Sequence, residues 1–148
     1  MRREERLNID LNHQSPDWVR DAVYFVTVCA KERRTNHLCG ELSRPILDSI
    51  RHYHEKQRWY CDLALLMPNH VHLLLSFDAR VEIAKVIGDW KRWISTHHGI
   101  IWQENFFEHR VRDDKNLQEK ADYILHNPVR AGLISDEKEW PYFWMPKS

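Results

Sequence analysis

The 148 residues include 22 basic and 22 acidic side chains, with 43% apolar and 30% charged residues. That mixture suits one soluble domain able to bury roughly two thirds of its unfolded surface, and it argues against disordered and membrane-embedded classes. A formal charge of zero removes bulk charge as a reason to expect a nucleic-acid partner, so only local patterning can argue for one.

The charged opening MRREERLNID has no apolar stretch behind it, which predicts neither a signal peptide nor a membrane span and places the chain in the cytoplasm. Cys29, Cys39 and Cys61 are odd in number, widely spaced and free of any C-x-x-C pair, so they read as free, mostly buried thiols. No repeat, low-complexity tract or Gly/Ser linker marks a boundary, and residues 1–148 read as a single domain.

Residues 22–30, AVYFVTVCA, are β-branched and aromatic and predict a buried strand. KERRTNHLCGEL follows as a polar connection. From Leu42, the apolar positions Leu42, Ile46, Leu47, Ile50 and Tyr53 recur at a helical period, with Ser43 as N-cap and Pro45 in the first turn. WYCDLALL and HVHLLLSF then read as two strands joined by a turn at Met67, Pro68 and Asn69. A second helix runs from about Val81 to His98, carrying Ile83, Val86, Ile87, Trp90, Trp93 and Ile94 on one face and closing at Gly99. IIWQENFFEHRVR predicts another strand. In the third helix Asp113 or Asp114 is the cap and Leu117, Ala121, Ile124 and Leu125 form the buried stripe; Pro128 predicts a stop near Asn127. A hairpin among alternating units predicts the α+β class: an antiparallel sheet with helices on one face, like a split βαβ ferredoxin-like plait.

Strand alternation points His70 and His72 one way and Val71, Leu73, Leu75 and Phe77 the other, so the two imidazoles sit side by side at a spacing that lets both bind one metal ion. An H-x-H pair in a strand also arises by chance, and no third His or Cys lies at zinc-site spacing. Tyr123 and Asn127, four residues apart, share a face of the third helix. Tyrosine serves as a covalent nucleophile and an Asn carbonyl as a ligand for a hard cation, but the pattern alone favours a partly buried packing role for Tyr123.

MPNHVHLLL, WQENFFEHRVRD and ADYILHNPVRAGL resemble, in order and spacing, the single-tyrosine HUH transposases, and most of all the REP-associated tyrosine transposases, over about Tyr24 to Leu133. The resemblance implies an HUH endonuclease plait, with a family-like core over about 22–134, in a bacterial chain. It implies His70 and His72 as metal ligands, Asn127 as a third ligand, and Tyr123 as the nucleophile. Tyr123 would attack a phosphodiester of single-stranded or hairpin DNA, keep the 5′ phosphate and release a 3′ hydroxyl. The implied cofactor is Mg2+ or Mn2+, with phosphate oxygens and waters completing a shell that imidazoles alone would tune toward zinc. The implied substrate is a repetitive extragenic palindrome, handled by a monomer as in the REP-associated relatives; a dimeric transposase of a compact mobile element is the near alternative.

DNA contacts are expected at Lys91 and Arg92, which turn away from the apolar stripe of their helix, and at Arg110, Arg112 and Arg130. Lys120, one turn before Tyr123, is placed to favour the phenolate, since a free tyrosine ionises only near pH 10. Trp90 and Trp93 read mainly as core. Glu108 and His109 are candidates for groups beside the metal, and the N-terminal Arg2, Arg3 and Arg6 for DNA contact. Two rival functions remain: a DNA-binding regulator that does not cut, and a zinc hydrolase using His70 and His72 with Glu108 or His109.

Overall fold

Pro68 and Asn69 reverse the chain between two strands that are buried almost end to end, Tyr60–Met67 (β2) and His70–Ser76 (β3). The backbone N–H groups of Ala30 and Leu38 donate to the carbonyls of Asn69 and Pro68, which fixes this turn against the end of the first strand. The structure is a computed structural model and describes residues 16–19, 22–31 and 38–147. Around the hairpin stand Val23–Cys29 (β1), Ser43–Glu55 (α1), Ile83–His98 (α2), Phe107–Val111 (β4), Asp114–Arg130 (α3) and Phe143–Trp144 (β5). Gly40–Leu42 and Glu137–Glu139 form single 3-10 turns. The strands make one five-stranded antiparallel sheet in the order β4-β1-β3-β2-β5. This is the expected α+β class.

Helices cover both faces of the sheet, where the sequence predicted one. Val71, Leu73 and Leu75 of β3 pack with Ile46 and Ile50 of α1 and with Val86, Ile87, Trp90 and Ile94 of α2. Leu74, of opposite parity, packs with Leu63, Leu65 and Met67 and with Leu117, Ala121, Ile124 and Leu125 of α3. Burial from both sides explains why Leu73, Leu74 and Leu75 form an unbroken apolar run, which strict alternation does not account for. A register shift between Cys61 and Leu63 turns β2 over, so that Cys61 joins one core and Leu63 the other.

Several element ends differ from expectation. Ser43 is not an N-cap: its hydroxyl donates back to Gly40 O at 2.6 Å, and the preceding 3-10 turn leads the chain into α1. The fourth strand is confined to Phe107–Val111, and Ala30–Trp102 is an isolated bridge outside it. Trp93 is 40% exposed, whereas Trp90 is fully buried as expected. Asp113 caps α3, its carboxylate accepting the Asn116 N–H at 2.8 Å.

The largest correction concerns the end of α3, which runs through Pro128 to Arg130. A proline this near the terminus forgoes one backbone bond, and its ring is buried on the sheet side. The stop comes from Gly132, at φ 74°: Leu133 N–H donates to Pro128 O at 2.9 Å and Gly132 N–H to Val129 O at 3.0 Å, the paired bonds of a Schellman ending. Asn127 therefore stays within regular helix, with one further turn beyond it.

Candidate active site

Cross-strand register builds the site. Thr27 of β1 lies opposite both His72 of β3 and Phe107 of β4, and His72 lies opposite Leu65 of β2, giving a transverse row on the α3 face. The Thr27 hydroxyl is 3.1 Å from His72 Nδ1, and the Asn69 carbonyl oxygen is 2.6 Å from His70 Nδ1. An amide oxygen only accepts, so His70 carries its proton on Nδ1, and a Thr27 hydroxyl that accepts from His72 gives that ring the same tautomer. Each then presents the Nε2 lone pair, and these two nitrogens are 3.1 Å apart.

Two nitrogens each about 2.1 Å from a common ion, at angles between a right angle and the tetrahedral value, stand about 3.0 to 3.4 Å apart. The imidazole pair therefore already has the spacing of one edge of a coordination shell. Burial pushes His72 down to about 3, with His70 and the Arg130 guanidinium acting in the same direction, so the ring stays neutral and its lone pair stays available at pH 7. Among the described residues, no three His, Cys, Asp or Glu side chains gather into a metal cluster. Among these residues, a further protein ligand would be of another type.

Asn127 is placed for that part. Its side-chain amide nitrogen lies 2.7 Å from His72 Nε2, while its carbonyl oxygen accepts from Arg130 at 3.4 Å. Turning the amide over would bring oxygen to the histidines, a change that scarcely alters its shape. One turn earlier on α3, Tyr123 is half exposed, and its ring lies edge-on to Phe25, which is in turn edge-on to His72. The histidine pair, Asn127 and Tyr123 thus share one face within a single chain.

Arg130 lies over the tyrosine ring. Its guanidinium carbon stands 4.0 Å from the Tyr123 ring centroid, and Nη2 donates to Tyr123 O at 2.6 Å. Lys120 instead lies over Phe25, at 5.7 Å from that ring's centroid. Of the remaining expected residues, Lys91 donates to the carbonyls of Gln103 and Glu104, and Arg92 pairs with Asp89, both on the helix layer opposite α3. Arg110 and Glu108 lie opposite Tyr24 and Val26, hence on that other face too, at the sheet edge. His109 lies opposite Phe25 on the α3 face, and Arg112 is exposed just past β4. The structure therefore brings His70, His72, Tyr123, Asn127, Lys120 and Arg130 together and leaves Lys91, Arg92 and Arg110 apart. Arg2, Arg3 and Arg6 lie outside the described residues. Thr27, Asn69 and Phe25 escaped the sequence analysis, because only cross-strand register and turn geometry reveal them.

Comparisons with known proteins bear on the family and the fold. The family model described as "Transposase IS200 like" matches residues 19–127. A REP-associated tyrosine transposase of Escherichia coli K12 is 23% identical over 84% of this chain and 77% of its own length. A Haemophilus influenzae protein classed with the REP-associated tyrosine transposases is 27% identical over 85% of this chain and 81% of its own. The solved structure of a REP-associated tyrosine transposase bound to a REP hairpin superposes with a TM-score of 0.73 at 22% identity, covering 90% of this chain and 82% of that one.

Proposed function

We propose, for a chain that belongs to the IS200-like transposase family and is a single-tyrosine enzyme, that it nicks and rejoins hairpin-forming palindromic DNA through Tyr123. The Tyr123 Oη attacks a backbone phosphorus and an O–P bond forms as the bond to the 3′ oxygen breaks; the phenolic proton passes to solvent, and the departing 3′ oxygen takes one from solvent to leave as a hydroxyl. The strand's 5′ phosphate stays on the tyrosine. A 3′ hydroxyl from another strand reverses the same step, so rejoining draws on the phosphotyrosine bond and needs no nucleotide cofactor.

One observation carries this reading: α3 sets Asn127 against His72 while presenting Tyr123 one turn away on the same face. Arg130, against the Tyr123 ring, offers charge to the phosphate. Thr27 and Asn69 hold both imidazoles in the tautomer that points Nε2 into the site. A divalent cation, Mg2+ or Mn2+, would be held by His70 and His72 with the Asn127 carbonyl, and when bound it supplies Lewis-acid neutralisation of the phosphate. The substrate is assigned by likeness to the relative whose structure holds a REP hairpin.

Incubation with labelled hairpin DNA and Mn2+, followed by a denaturing gel, tests the chemistry. Wild type should give a covalent protein–DNA adduct and Tyr123→Phe none, with hairpin binding retained. Cleavage that survives Tyr123→Phe would favour hydrolysis by water, and hairpin binding without any adduct from wild type would favour a regulator that does not cut.

A further inference from the structure

The row that contains His72 ends at the β4 edge on Phe107, whose side chain is 66% exposed. Register with β1 is unbroken from Val23–Val111 to Thr27–Phe107, and Val111, of the same parity, is buried under α3. Phe107 therefore faces the same side as the histidines. Strands about 4.8 Å apart put it two spacings, roughly 10 Å, from His72. It belongs to neither core cluster. The same face carries cations: Lys120 lies over Phe25 and Arg130 over Tyr123. An open aromatic face beside positive charge is the combination that holds unpaired nucleic acid, because every base has a π-face and every linkage a phosphate.

We propose that Phe107 is a stacking platform for an unpaired base in the strand that flanks the phosphodiester placed at His70 and His72. This rests on the reading of the active site given above. A DNA base fits better than a second copy of the chain as occupant. The edge strand is short, and Glu108, His109 and Arg110 stand exposed along it, features that discourage strand-to-strand pairing, whereas Lys120 and Arg130 complement phosphate.

Binding is measured in the Tyr123→Phe background, so that cleavage does not intervene, with a palindromic hairpin carrying a randomised single-stranded flank and with the same hairpin lacking a flank. Phe107→Ala and Phe107→Leu should each weaken binding of the flanked hairpin on the order of tenfold or more and leave the bare hairpin unchanged, while Phe107→Trp restores the flanked affinity. Equal loss on both DNAs, no loss on the flanked one, or no flank-dependent binding by the Phe107-bearing protein overturns the proposal. A fall in native mass on Phe107→Ala with flanked affinity intact overturns it too and assigns the ring to contact between copies. Adduct formation by the Tyr123-bearing protein is followed in parallel. Its absence defeats the catalytic reading, whereas a wild-type adduct with flanked affinity indifferent to Phe107→Ala defeats this inference alone.

Discussion

His54 Nδ1 accepts the Cys61 backbone N–H at 3.0 Å, a bond open only to the neutral imidazole. Burial between the rings of Tyr60 and Trp144 lowers the pKa of His54 below the usual histidine range, against the opposing pull of Asp62 and Glu55. The unfolded chain accepts a proton near pH 6.5 that the folded chain resists. Stability contributed at this site is thus full above about pH 6.5 and declines as pH falls below it. Urea unfolding of the metal-free protein at pH 7 and pH 5 should show that decline, and His54→Asn, which keeps an acceptor without a titrating ring, should reduce it. Identical pH slopes in the two proteins would show that His54 titrates normally. Residues of this kind are where sequence reading is weakest. Strand alternation put His70 and His72 on one face of their strand and helical period put Tyr123 and Asn127 on one face of their helix, whereas the roles proposed for them came from the resemblance. Thr27 and His54 act across strands or across a helix–strand junction, and no spacing announces them.

At the scale of the element, α3 shows how a correct local rule can lose to its surroundings. Pro128 disfavours helix at Asn127, yet sheet contacts on the buried side and a glycine-terminated ending carry the helix one turn further. That extra turn matters, since it holds Arg130 beside Tyr123. The ending depends on Gly132 at φ 74°, and a Cβ there would meet nothing within 4 Å. Gly132→Ala should therefore cost only the left-handed backbone penalty, about 1 kcal/mol, read as a lowered urea midpoint with an unchanged slope. An unchanged midpoint would show that this ending contributes nothing to α3. The sequence does contain the signal, in the Ala131–Gly132–Leu133 that follows Arg130, but the nearer proline outweighed it. Conversely, Asp113 and Gly99 were correctly legible as helix ends, because capping is settled within four residues and owes little to tertiary contacts.

At the scale of the molecule, alternation along β3 correctly separated the histidines from Val71, Leu73 and Leu75, but it could not say that their own face is roofed by α3. Which side of a sheet a distant helix takes is decided by connection geometry, and the two-residue β5 is too short to carry a pattern of its own. The consequence for function is that the proposed nucleophile and the proposed metal ligands meet inside one chain, through the 2.7 Å contact between Asn127 and His72. Mixing two inactive proteins tests this most directly: Tyr123→Phe, which keeps the histidines, and a His70→Ala/His72→Ala variant, which keeps the tyrosine. Assembly within the chain predicts that the mixture forms no covalent adduct with hairpin DNA, as neither protein does alone. An adduct that appears on mixing would mean that α3 serves the sheet of a neighbouring copy, and would contradict the site described here.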